Sequence, residues 1–129
     1  MRILLDTHLL LWAVGDSQRL QNSVLEELED PSNALFASTA SLWEIAIKTM
    51  LRRSDFEIDI RAFRKALRTM SVDELPVVGD HIETLPDLPD LHRDPFDRLL
   101  VAQSLAEPMS LWTNDRVVAQ YSDSVTLVS

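Results

Sequence analysis

Residues 1–14 run M-R-I-L-L-D-T-H-L-L-L-W-A-V. Arg2 to Asp6 is a short apolar run that ends in an acid. A run of this length, apolar on both faces, is predicted as a strand buried on both sides. Thr7 to Val14 is predicted as a short helix following it directly. The acid at the junction is the informative residue. A carboxylate closing a buried strand is costly unless something pairs with it.

Outward from this start, strands and helices alternate. Leu20, Val24 and Leu28 recur at helical spacing, with Leu25 alongside, until Asp30-Pro31 stops them. Ala34 to Ala37 reads as a second buried strand. Trp43, Ile47, Met50 and Leu51 mark the next helix, and Ile60, Phe63, Leu67 and Met70 another. Val72 to Val77 is a weaker strand. Pro95 to Leu105 is apolar almost all round, hence a central buried helix. Ser110 to Thr113 is a strand, Asp115 to Gln120 a short helix and Val125 to Val128 a last strand. This alternation predicts a parallel sheet covered on both faces, an α/β fold.

The chain has 129 residues, 46% of them hydrophobic and 26% charged, enough for one domain, 1–129, with a true core. There is no internal repeat, low-complexity tract or linker. With no cysteine, a disulfide scaffold, a cysteine nucleophile and a thiolate metal site are excluded. The longest apolar run, Leu9 to Val14, falls far short of the roughly 20 residues of a membrane span. An acid at position 6 interrupts any signal-peptide core. These features predict a cytoplasmic protein that does not enter membranes.

Twelve Lys and Arg against 21 Asp and Glu give a net charge of −9 and a pI near 4.6. Taken alone, this sign argues against nucleic acid and for cations or a basic partner. The charge is uneven. Lys48, Arg52, Arg53, Arg61, Arg64, Lys65 and Arg68 hold seven of the twelve basic residues. Arg61, Arg64, Lys65 and Arg68 lie opposite the apolar stripe of their helix, either as a solvated face or as an edge for phosphate or a partner protein.

Ligands of open parallel sheets bind beyond the carboxyl ends of the strands. Asp6 follows the first strand, Glu44 lies early in the helix after the second, and Asp115 follows the Ser110 strand. Asp97, beside Asp94, opens the buried helix. Each has an ordinary structural account. Asp94-Pro95 reads as N-cap and first helical residue, with Asp97 in the first turn. Ser41 and Glu44 could form a capping box, and Asn114 or Asp115 could cap the next helix. Asp6 resists such an account best. Clustered carboxylates repel and need a cation, and an all-oxygen set selects Mg²⁺ or Mn²⁺. His8, His81 and His92 lack zinc spacing. No glycine-rich phosphate loop is present, so phosphodiester hydrolysis fits better than nucleotide chemistry. A bound cation also answers the charge paradox, because it supplies positive charge locally. No G-x-S-x-G turn supports a serine triad.

Four segments carry a resemblance: I-L-L-D-T-H-L-L-L-W at Ile3 to Trp12, S-x-W-E-I-A-I-K at Ser41 to Lys48, H-R-D-P-F-D-R-L-L-V-A-Q at His92 to Gln103, and T-N-D at Thr113 to Asp115. In this order and spacing the chain resembles the PIN-domain ribonucleases, in particular the VapC toxins of toxin–antitoxin pairs. The resemblance implies a three-layer α/β/α fold around about five parallel strands in the order 3-2-1-4-5. It implies Asp6 and Asp97 as the main metal ligands, Glu44 as third acid and Asp115 as the more variable fourth, with Thr7 and Asp94 auxiliary. It implies a Mg²⁺-dependent endoribonuclease, with Mn²⁺ as substitute, acting as a toxin. A homodimer and a cognate VapB-type antitoxin are implied as well. Two alternatives stay open: a PIN nuclease of RNA processing or structured DNA without a toxin role, and a binding module whose acids only cap helices.

Overall fold

A computed structural model describes residues 1–51 and 57–128. Arg52 and Arg53 of the basic segment lie outside the described residues. Five strands, β1 (Arg2–Leu5), β2 (Ala34–Ser38), β3 (Val72–Leu75), β4 (Ser110–Thr113) and β5 (Val125–Leu127), form one sheet in the order β3-β2-β1-β4-β5. Every neighbouring pair is parallel. β1 is central, and Ile3, Leu4 and Leu5 are at most 1% exposed. Their side chains alternate between two cores, as a period of two requires. Ile3 and Leu5 enter one core with Leu9, Leu10, Phe63 and Leu67. Leu4 enters the other with Leu100, Val101, Leu111 and Val125. Helices therefore cover both faces of the sheet, the three-layer α/β/α arrangement.

Among the described residues six helices connect the strands: α1 (Thr7–Gly15), α2 (Asn22–Glu29), α3 (Thr39–Met50), α4 (Ile60–Thr69), α5 (Gly79–Thr84) and α6 (Pro95–Ala106). Local chemistry starts most of them. Asp59 accepts the amides of Arg61 and Ala62 at the head of α4, and Asp94 those of Phe96 and Asp97 at the head of α6. α4 returns to β3 through Ser71, which sits in the left-handed region at φ 61°.

The structure departs from the sequence reading at several elements. β3 ends at Leu75 rather than Val77, because Pro76 has no amide to give the ladder. The segment after β4 makes only a 3-10 turn, Val118–Gln120. α5 has no counterpart in the sequence reading, being a six-residue helix too short for a periodic signal. α3 turns Leu42 and Ile45 inward and leaves Trp43, Met50 and Leu51 exposed. Its apolar stripe thus points away from the core. Among the described residues, no helix is long and apolar enough to cross a membrane.

Candidate metal centre

Leu5 pairs with Ala37 of β2 on one side and Trp112 of β4 on the other. Asp6, Ser38 and Thr113 therefore leave the sheet at one edge, where the strand order turns from β1 to β4. Asp6 is only 4% exposed. Its Oδ1 accepts the Leu9 amide at 2.9 Å, so Asp6 caps α1 after all, contrary to the expectation that it resists such an account. Its Oδ2 accepts the Thr113 hydroxyl at 2.6 Å, and Thr113 Oγ1 in turn accepts the Asp115 amide at 3.0 Å. Burial raises the Asp6 pKa, although Thr113, the Leu9 amide and nearby His8 oppose the rise.

Glu44 lies on the inner face of α3 and is 6% exposed. Thr7 donates to its Oε1 at 2.8 Å and is 2.9 Å from Ser41 Oγ. Lys48, one turn on, reaches Oε2 at 3.0 Å. The capping box expected from Ser41 and Glu44 does not form. The N-cap of α3 is Ser38, whose hydroxyl accepts the Ala40 amide, and Ser41 falls inside the first turn.

Asp94 behaves as the sequence suggests, spending Oδ1 on the head of α6. Asp97, on the same turn, points elsewhere. Its Oδ2 is 3.3 Å from His92 Nε2, and Asp115 Oδ2 is 3.4 Å from the same nitrogen. Donor atoms of His92, Asp97 and Asp115 all lie within 4.8 Å of one another. Burial first, then the charges of Asp94, Glu44 and Asp6, push the Asp97 pKa up to about 7 against the pull of His92. The repulsion expected among the acids is thus present, but second to burial. Asp115 differs. Burial works to raise its pKa, yet the amides of Val117 and Val118 and the contact with His92 outweigh it and hold the group low.

Carboxylates from four separate elements thus gather at one end of the sheet: Asp97 feels both Asp6 and Glu44, and His92 stands between Asp97 and Asp115. The donor set is hard and oxygen-rich, which fits Mg²⁺ or Mn²⁺. Sequence reasoning missed His92 and Thr113 as members of this cluster, although both stand inside the quoted motifs. The basic stripe is not part of it. It lies on α4, beside the edge strand β3 and two strands from β1. Arg61, Lys65 and Arg68 are exposed. Arg64 is engaged in a two-pronged pair with Glu74 at 2.6 and 2.9 Å, which lowers the Glu74 pKa.

Comparison with known proteins agrees with this architecture. Residues 3–123 match the PIN domain family. Among curated proteins no sequence matches this chain. One similar solved structure is VapBC2 from Rickettsia felis bound to a DNA fragment from their promoter, with TM-score 0.74 at 15% identity over 100% of both chains. Another is VapBC-1 from nontypeable Haemophilus influenzae, with TM-score 0.67 at 16% identity over 98% of both chains. At such identities the two structures speak for the fold, and the family rests on the sequence match: the chain belongs to the PIN-domain family.

Proposed function

We propose that this chain, as a single domain, is a divalent-metal-dependent endoribonuclease that acts as the toxin of a toxin–antitoxin pair. The observation that carries the reading is the gathering of Asp6, Glu44, Asp97 and Asp115 at the β1/β4 edge, with burial and like charge holding Asp97 near neutrality. A cation held there would supply Lewis-acid chemistry, lowering the pKa of an attacking water and offsetting charge on phosphorus. The chain's own part is to hold Asp6 and Asp97 toward that ion. Thr113 and the Leu9 amide fix both Asp6 oxygens. Thr7 and Lys48 fix both Glu44 oxygens, holding that carboxylate beside the pocket. An RNA substrate agrees with the family, and unpaired RNA is the form that sequence-specific RNA recognition most often targets. A VapB-type partner is supported by both matched structures being VapBC, and a cytoplasmic homodimer belongs to the same reading.

The test is direct. Purified protein is incubated with a single-stranded RNA, Mg²⁺ or Mn²⁺, and a chelator control. Cleavage should require metal and disappear in Asp6→Asn and Asp97→Asn, with circular dichroism unchanged. Full cleavage by Asp97→Asn at the same metal concentration overturns the assignment.

A further inference from the structure

His92 lies among the acids in a way that invites its reading as a third metal ligand. Its hydrogen bonds say otherwise. The Asp94 amide donates to His92 Nδ1 at 3.0 Å, so Nδ1 is the bare nitrogen and the ring proton sits on Nε2. That same Nε2 faces Asp97 Oδ2 at 3.3 Å and Asp115 Oδ2 at 3.4 Å. A nitrogen that carries a proton has no lone pair for an ion. To become a ligand, Nε2 would have to pass its proton to Nδ1, where the Asp94 N–H already points.

The placement is built. The His92 amide donates to the Tyr121 hydroxyl at 2.8 Å, and that hydroxyl returns to the His92 carbonyl at 3.3 Å. Arg98 holds Tyr121 Oη at 3.1 Å and the Pro89 carbonyl at 3.0 Å. Backbone and ring are therefore both pinned.

We propose that His92 is a positioning residue of the metal centre and not a ligand. Its fixed Nε2–H donates to Asp115 Oδ2 and faces Asp97 Oδ2, and so sets the orientation of both carboxylates. This rests on the metal-centre reading above. Groups that orient ligands in this way typically change metal affinity 10–100-fold when removed.

The experiment uses the full chain and Mn²⁺ as probe. Pulsed electron paramagnetic resonance of the Mn²⁺-loaded wild type should show no directly bound nitrogen. In calorimetric titration, His92→Ala should bind Mn²⁺ about 10–100-fold more weakly. His92→Gln, which can place an amide N–H near the Nε2 position, should recover most of the loss. A bound-nitrogen coupling overturns this proposal while leaving the metal centre standing. Affinity in His92→Ala within twofold of wild type overturns it too. The resonance measurement needs no variant, so a misfolded substitution does not spare the idea. Wild type that takes up no Mn²⁺ takes down the metal-centre reading itself, and this proposal with it.

Discussion

Asp97→Asn tests the site through stability as well as through cleavage, and the two readouts move in opposite directions. In the folded protein Asp97 titrates at about 7, against an ordinary value of 3.8. Between these values the native state keeps a proton that the unfolded chain has released. The native state therefore binds more protons, and stability falls as pH rises from about 4 to 7. Roughly three pH units correspond to about 4 kcal/mol at full value. The side chain is 23% exposed, and solvent screening trims this to about 2–3 kcal/mol. Asparagine carries no charge at any pH and escapes the loss. Removing an acid from the first turn of α6 works against the variant, by about 0.3–1 kcal/mol. In chelator, wild type and Asp97→Asn should thus be close at pH 4, and the variant should be more stable by about 2 kcal/mol at pH 8. Urea denaturation followed by circular dichroism at three pH values reads this. Mn²⁺ at about 100 times its dissociation constant should then add about 2.7 kcal/mol to wild type and less to the variant. A variant that is less stable than wild type at pH 8 in chelator, or a difference that does not change with pH, refutes the reasoning.

Other expectations follow from single contacts. Thr113→Val removes the donor to Asp6 Oδ2 and the acceptor for the Asp115 amide, so stability should drop by about 1–3 kcal/mol, and Mn²⁺ affinity should drop with it; an unchanged urea midpoint and unchanged titration would show the contact to be idle. Ser71→Gly relieves a left-handed residue and should raise the melting temperature by about 2–4 °C, whereas a lower one would mean that the serine side chain contributes more than the backbone strain costs. Arg61→Ala with Lys65→Ala should weaken RNA or antitoxin binding and flatten its salt dependence by about one unit for each phosphate that goes unneutralised. Arg64→Ala should do less, because that guanidinium is already spent on Glu74; if none of these changes alters either affinity, the stripe is a solvated face.

The parts legible in the sequence are those whose causes are local. Ile3, Leu4 and Leu5 are apolar in succession because both faces of β1 meet a core, and a continuous apolar run signals that directly. Asp94 followed by Pro95 announces a helix start within two residues. The parts that stay hidden depend on partners far along the chain. Thr113 looks like any strand-ending threonine until the fold brings it to Asp6, 107 residues away. His92 has no ligand spacing because its partners are a backbone amide two residues on and carboxylates from two other elements. The orientation of α3 escapes the sequence for a related reason. Trp43, Met50 and Leu51 form a good apolar stripe, but the helix is turned by what Thr7 and the sheet edge demand of Ser41 and Glu44.

Capping and metal binding look like rival explanations for these acids, and the oxygen atoms show that they are not. A carboxylate that only caps a helix needs one oxygen. Asp94 fits that case, with both of its amide contacts on Oδ1. Asp6 and Asp115 divide the work. Asp6 gives Oδ1 to the head of α1 and Oδ2 to Thr113. Asp115 gives Oδ1 to the amides of Val117 and Val118 and Oδ2 to His92. The capped oxygen fixes the plane of the carboxylate, and the second oxygen then meets Thr113 or His92. Each acid is steadied by its own partners: Thr113 for Asp6, Thr7 and Lys48 for Glu44, and His92 for Asp97 and Asp115. Lys48 offsets part of the charge the acids share, and burial together with the remaining like charge raises the Asp97 pKa. A helix cap gains nothing from buried neighbours of like sign. A divalent cation does, and the proposed RNA substrate would call for one at this edge of a protein of net charge −9.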